Sequence, residues 1–93
     1  MGRKSTASPS EVHKNFANIQ PPSGLILFND EVNEYQFVID TLIEVCEHNN
    51  HQAEQCTLIA HYKGKCHVKS GSLKSLRLMR NELIRRGLSA TID

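Results

Sequence analysis

An α+β domain of order β-α-α-β-α-β, three helices packed on a small three-stranded sheet, is what the sequence predicts. Short strand-like runs at 25–28, 66–69 and 88–92 alternate with three stretches of helical apolar period. Gly, Asn and Ser punctuation separates them, with no internal repeat. Helices set against one small sheet are the layer architecture that suits such an order.

Residues 1–22 hold all three prolines and only scattered apolar residues (Val12, Phe16 and Ile19 among them), and read as a flexible N-terminal extension ending at Pro21-Pro22. The 12/16/19 spacing allows a transient or partner-induced helix. The folded domain is expected over 23–93. Leu25-Ile-Leu-Phe28 reads as a buried strand that enters a polar turn at Asn29–Asn33.

From Glu34 to Glu47, Tyr35, Val38, Ile39, Leu42, Val45 and Cys46 recur at helical period, with Asn33 as N-cap. His48-Asn49-Asn50 breaks that pattern. A second helix is expected over His51–Tyr62, capped by Asn50, with Ala53, Cys56, Ile59 and Ala60 facing inward and Gly64 ending it. Cys66–Lys69 is short enough to be a strand. Ser72 caps a third helix whose Leu73, Leu76, Met79 and Leu83 face inward and whose Lys74, Arg77, Arg80 and Arg85 lie mostly outward. Gly87 stops it, and Leu88–Ile92 alternates like a half-buried strand.

With 93 residues the chain is one small domain plus its extension. The net charge of +1 conceals a strong asymmetry. Residues 23–50 carry six acids and no Lys or Arg, whereas residues 51–93 carry eight bases and three acids. No apolar run is long enough to cross a bilayer, so no membrane association is expected. The basic start Met1–Ser5 leads into no apolar stretch, so no secretory signal is expected, and Gly2 with Ser5 falls one position short of the myristoylation spacing. Cys46, Cys56 and Cys66 form an odd set with no C-x-x-C pair, which favours reduced thiols in a cytoplasmic protein.

Two segments carry candidate chemistry: Leu27-Phe-Asn-Asp-Glu31 and Ala60-His-Tyr-Lys-Gly-Lys65. Asn29, Asp30, Glu31 and His61, brought together, would make a cage of acceptors suited to an ammonium group. Taken separately, Asn and Asp after a strand make turns and caps, and a histidine at a helix C-terminus answers the helix dipole. A zinc site from Cys46, His48, His51, Cys56, His61, Cys66 and His67 lacks knuckle spacing, so neither metal nor cofactor is expected. The basic third helix reads as a solvated face, because no aromatic platform, helix-turn-helix or RNP pattern accompanies it; no nucleic-acid partner is expected. No glycine-rich phosphate loop, GxSxG elbow or HExxH pair is present, and the cysteines sit in apolar phase, so catalysis is not expected.

Leu27–Glu31, Tyr35-Gln-Phe-Val-Ile39, Ala53-Glu-Gln55 and His61-Tyr-Lys-Gly-Lys65, in this order and spacing, resemble the ClpS family of adaptors that deliver N-end-rule substrates to an AAA+ Clp protease. The resemblance spans about residues 23–93. It implies the same β-α-α-β-α-β fold, no enzymatic activity, and recognition of proteins that begin with Leu, Phe, Tyr or Trp. Carried over by position, Asn29, Glu31 and His61 contact the substrate's α-amino group while Asp30 shapes the turn. Leu27, Asn33, Tyr35, Val38, Thr57 and Ala60 then line the hydrophobic pocket. To accept from an ammonium His61 must be neutral at the contacting nitrogen, so binding weakens as acid protonates it. Tyr62, Lys74 and Met79 fall on the surface implied to face a ClpA- or ClpC-like unfoldase, the extension becomes the adaptor's mobile arm, and a monomer is expected.

The sequence departs from the family pattern at the pocket. Glu31 stands where a second Asp is usual, and Asn33-Glu34 replaces Thr-Pro. Tyr35 and Thr57 stand at methionine positions, and Ala60 replaces a larger aliphatic residue. On the unfoldase-facing side, Lys74 stands at a frequent acid and Met79 at a frequent lysine. These changes imply altered side-chain preference. They also motivate an alternative, an interaction domain that binds an unfoldase but has lost amine recognition.

Overall fold

The computed structural model describes residues 22–93. The extension read over 1–22 therefore lies outside the described residues, Pro22 excepted. The elements are β1 (Ser23–Phe28), α1 (Tyr35–Cys46), α2 (Asn50–Lys63), β2 (Lys65–Gly71), α3 (Leu73–Arg85) and β3 (Ser89–Ile92). This is the expected order, with three helices on one three-stranded sheet.

β1 is the central strand of the order β2-β1-β3, antiparallel to both neighbours. Its side chains alternate. Leu25 and Leu27 are fully covered, while Ile26 and Phe28 are only half-buried. The run read as wholly buried thus has one inward and one outward row. A bulge between Leu25 and Ile26 shifts the pairing with β2 from Lys69 to His67.

The inward row meets Ile39, Leu42 and Cys46 from α1, Ala53 and Ala60 from α2, and Leu76 and Leu83 from α3. Truncating a fully covered core leucine such as Leu42 costs about 2–5 kcal/mol, because little nearby can collapse into the void. Three expected inward residues lie elsewhere: Tyr35 is 42% exposed, Ile59 39% and Leu73 44%. On α2 the inward phase is Ala53, Thr57 and Ala60, with the Thr57 hydroxyl donating to the Ala53 carbonyl at 2.7 Å. A satisfied threonine takes the place sequence hydropathy gave to isoleucine.

The caps also shift. α2 starts one residue early because Asn49, not Asn50, closes a capping box: Asn49 Oδ1 accepts from the Gln52 amide at 2.8 Å and Gln52 Oε1 from the Asn49 amide at 3.0 Å. Asn33 does not cap α1; Glu34 takes that position without a side-chain bond. Ser72 caps α3 as expected, accepting from the Ser75 amide at 3.2 Å. Among the described residues no helix is long and apolar enough to cross a membrane.

Candidate functional site: a turn, a helix end and the cavity between them

The antiparallel register sets Phe28, the last residue of β1, opposite Lys65, the first of β2. The end of β1 therefore lies beside the C-terminus of α2, two residues before Lys65. Gly64 makes the reversal. Its φ of 92° is the left-handed conformation glycine takes without steric cost, and its amide donates to the Ala60 carbonyl at 2.9 Å. Its own carbonyl accepts from the Asn29 amide at 2.9 Å. One backbone bond thus ties the Asn29 turn to the helical turn that carries His61.

Within the turn, Asp30 is the brace. Its Oδ1 accepts from the Val32 amide at 2.9 Å and the Asn33 amide at 2.7 Å, and its Oδ2 accepts from Asn33 Nδ2 at 3.1 Å. Partial burial pushes the Asp30 pKa up, but the Asn33 and Val32 donors outweigh it and hold the carboxyl below its ordinary 3.8. Asn33 Nδ2 also donates to the Gly87 carbonyl at 2.9 Å, pinning the turn to the loop after α3. That is why Asn33 is not a helix cap: its side chain is committed to Asp30 and Gly87.

With both Asp30 oxygens engaged, Glu31 is the carboxylate left to solvent. Asn29 Nδ2 donates to Glu31 Oε1 at 3.2 Å, which leaves the second Glu31 oxygen and the Asn29 carbonyl as acceptors. His61 is exposed and meets Tyr62 edge-on, ring centroids 5.1 Å apart.

These groups surround a cavity of about 180 Å³ lined by Leu27, Phe28, Asn29, Asp30, Glu31, Asn33, Tyr35, Val38, Thr57, Ala60 and His61. Burial divides the lining. Leu27, Thr57 and Ala60 are covered and form the floor; Asn29, Glu31, Tyr35 and His61 are exposed and form the rim. Thr57 offers the cavity no donor, since its proton goes to Ala53. All the residues assigned above to amine contact or to the pocket lie on this one wall. Phe28, read only as part of the core strand, joins them; its place as the last strand residue before the turn was the available signal. Tyr35, read as an inward helix residue, is 42% exposed and belongs to the rim. Of the residues implied to face an unfoldase, Tyr62 is 77% exposed, Lys74 is exposed, and Met79 is half-buried against the core.

Cys46 and Cys66 are buried and Cys56 is half-buried. Burial pushes the Cys46 thiol up to about 11, and burial followed by the neighbouring Cys66 pushes Cys56 up to about 12. Both are therefore neutral thiols near pH 7, poor nucleophiles. Among the described residues no group of three or more His, Cys, Asp or Glu side chains gathers to hold a metal ion.

Comparison with known proteins places the chain in a family. Residues 18–91 match the family model described as ATP-dependent Clp protease adaptor protein ClpS. The ATP-dependent Clp protease adapter protein ClpS of Pectobacterium carotovorum subsp. carotovorum (strain PC1) is 35% identical over 86 residues, covering 85% of this chain and 81% of the relative. The structure of Agrobacterium tumefaciens ClpS2 bound to L-phenylalaninamide superposes with a TM-score of 0.74 at 19% identity, covering 77% of this chain and 94% of that one. The chain belongs to the ClpS family, the adaptors of the ATP-dependent Clp protease.

Proposed function

We propose that the cavity receives the first residue of a protein substrate, and that this adaptor hands such substrates to a Clp-type AAA+ unfoldase. The observation that carries the reading is the convergence of Asn29, Glu31 and His61 on the rim of a cavity floored by Leu27, Thr57 and Ala60. A protein N-terminus has matching parts. Its α-ammonium presents donors only, and desolvating them unpaired is costly, so acceptors must stand at the rim. Its side chain needs an apolar floor. Glu31 supplies the charge, the Asn29 carbonyl and a neutral His61 nitrogen the further acceptors, and Asp30 holds the turn.

Size supports the same reading. The cavity measures about 180 Å³, and a cavity of about 150 Å³ accommodates benzene. Phenylalanine and leucine side chains fit, while indole is tight, so the expected preference is Phe and Leu over Trp. The ligand named in the Agrobacterium tumefaciens complex, L-phenylalaninamide, is of this kind. The partner would be a ClpA- or ClpC-like unfoldase, met by a monomer through the side carrying Tyr62 and Lys74.

The test is a fluorescence-anisotropy titration with peptides that differ only at residue one: Phe, Leu, Tyr, Trp, Ala and acetyl-Phe. Binding of Phe and Leu peptides that is abolished by acetylation supports the proposal. No binding of any free-amine peptide by folded protein overturns it. The bond between Asn29 and Glu31 favours a second reading, in which the rim satisfies itself and the domain binds an unfoldase alone. That reading requires partner binding indifferent to acetylation.

A further inference from the structure

Outside the cavity lining, α2 and β2 each carry a cysteine towards the same backbone carbonyl. Cys56 Sγ and Cys66 Sγ both lie against the carbonyl oxygen of His67, at 3.9 and 3.4 Å, so one acceptor gathers the two thiols. Each sits on a regular element, with the tight reversal at Gly64 between them, so the pair is held in place rather than assembled on demand. Cys56 is half-exposed and Cys66 is buried, which gives an entrant one open side.

We propose that Cys56 and Cys66 form a dithiol site for trivalent arsenic, taken up as arsenite. The inference is independent of the reading of the cavity. Two features select this ligand class. Zinc wants about four convergent ligands, and no group of even three His, Cys, Asp or Glu side chains gathers among the described residues. A metal cation also needs deprotonated sulfur, whereas burial and the neighbouring thiol hold Cys56 protonated up to about 12. Arsenous acid is uncharged and condenses with neutral thiols. Two S–H and two As–OH bonds break, two As–S bonds form, and two waters leave with the thiol protons. Arsenic stays trivalent, so no oxidant or reductant is required. The product is a covalent ring spanning Cys56 to Cys66 with no charge left in the buried site.

The experiment treats the full chain with phenylarsine oxide and reads intact mass. The expected product is one phenylarsenic group per chain, less the two thiol hydrogens, resistant to excess 2-mercaptoethanol and removed by 2,3-dimercaptopropanol. Cys56→Ser and Cys66→Ser should each lose the resistant adduct, and Cys46→Ala should keep it. A footprint on wild-type protein needs no variant: arsenite should protect Cys56 and Cys66 together from alkylation. An adduct stripped by monothiol, one formed only in urea, one retained in Cys56→Ser or Cys66→Ser, or alkylation unchanged by arsenite would each overturn the proposal.

Discussion

Two polar clusters in this domain use similar side chains to opposite ends. In the first, α1 and α3 are joined by Glu44, Glu82, Arg85 and Arg86. Arg86 meets Glu44 at 2.6 Å and Glu82 at 2.8 Å, and Arg85 forks onto Glu82 at 2.8 and 2.5 Å. Each carboxylate there has a guanidinium, and the cluster is closed. In the second, the turn at 29–33, Asp30 is saturated by amides, but Glu31 receives only the neutral amide of Asn29 at 3.2 Å and His61 stands open on the rim. In the proposed reading the cation that completes Glu31 is the substrate's own α-ammonium. The closed cluster has no such vacancy, since its guanidiniums already meet both carboxylates.

The largest expected effect comes from removing an open acceptor. A hydrogen bond to a charged group is worth about 1.5–3 kcal/mol, so Asn29→Ala and His61→Ala should each weaken a Phe-peptide by about tenfold to a hundredfold. Thermal stability should hardly move, because Asn29 and His61 are exposed. Undiminished affinity in both variants would erase the distinction between the two clusters. Filling the floor comes next. Ala60 is 3% exposed on the cavity wall, and Ala60→Leu should weaken the Phe-peptide by about tenfold or more, as overpacking penalties of 1–3 kcal/mol imply. The smaller Leu-peptide should lose less in the same titration.

The scaffold behind the rim gives intermediate effects. At Gly64, with φ 92°, alanine incurs the left-handed penalty of about 1–2 kcal/mol, read by denaturant unfolding. Peptide affinity should fall too, since the Gly64 carbonyl anchors Asn29. Asp30→Ala strips three hydrogen bonds from the turn and should lower stability by about 1–3 kcal/mol. Its pH signature has a defined sign. The folded pKa of Asp30 lies below 3.8, so its stabilisation is present above 3.8 and is lost as pH falls through the lower folded value. The wild-type advantage over Asp30→Ala should shrink in that window; an advantage that grows there would show the carboxylate is not what the turn holds.

How legible this was in the sequence varies by residue. The element order was legible because punctuation and period agree at Gly64, Ser72 and Gly87. Helical period set Ile59 inward in place of Thr57, because hydropathy cannot see that a threonine proton satisfied by the backbone leaves an acceptable inward side chain; only the family resemblance put Thr57 in the pocket. As a helix cap, Asn33 was misjudged for a different reason. Its partner Gly87 lies 54 residues away, and only the tertiary fold brings a carbonyl to that amide. The four amine-cage residues were legible as chemistry, but their meeting depends on the β1–β2 register and on Asn29 bonding to Gly64. Phe28 was hidden by the continuous apolar run 25–28, which assigned it to a buried strand rather than to the cavity.

The smallest effect should come from the closed cluster, and its smallness is the sharpest control. Glu82 is held down to about 2, first by hydrogen bonds from Arg85 and Arg86 and then by their charges, against an ordinary 4.5. A depressed carboxyl stabilises above its unfolded pKa, so this contribution is present above about 4.5 and is lost as pH falls towards about 2. The cluster lies at the surface, with Arg85 exposed and Glu82 and Arg86 half-buried, and surface ion pairs are weak and screened by salt. Glu82→Gln should therefore lower the unfolding midpoint only slightly at neutral pH, less still in high salt, and not at all below about pH 2. Peptide affinity should be unchanged, because both arginines remain and the Glu82 carboxylate bonds to Arg85 and Arg86 rather than to any cavity residue. A loss of affinity as large as that of Asn29→Ala would mean that α3 reports to the rim through Gly87 and Asn33, and that the two clusters are one system.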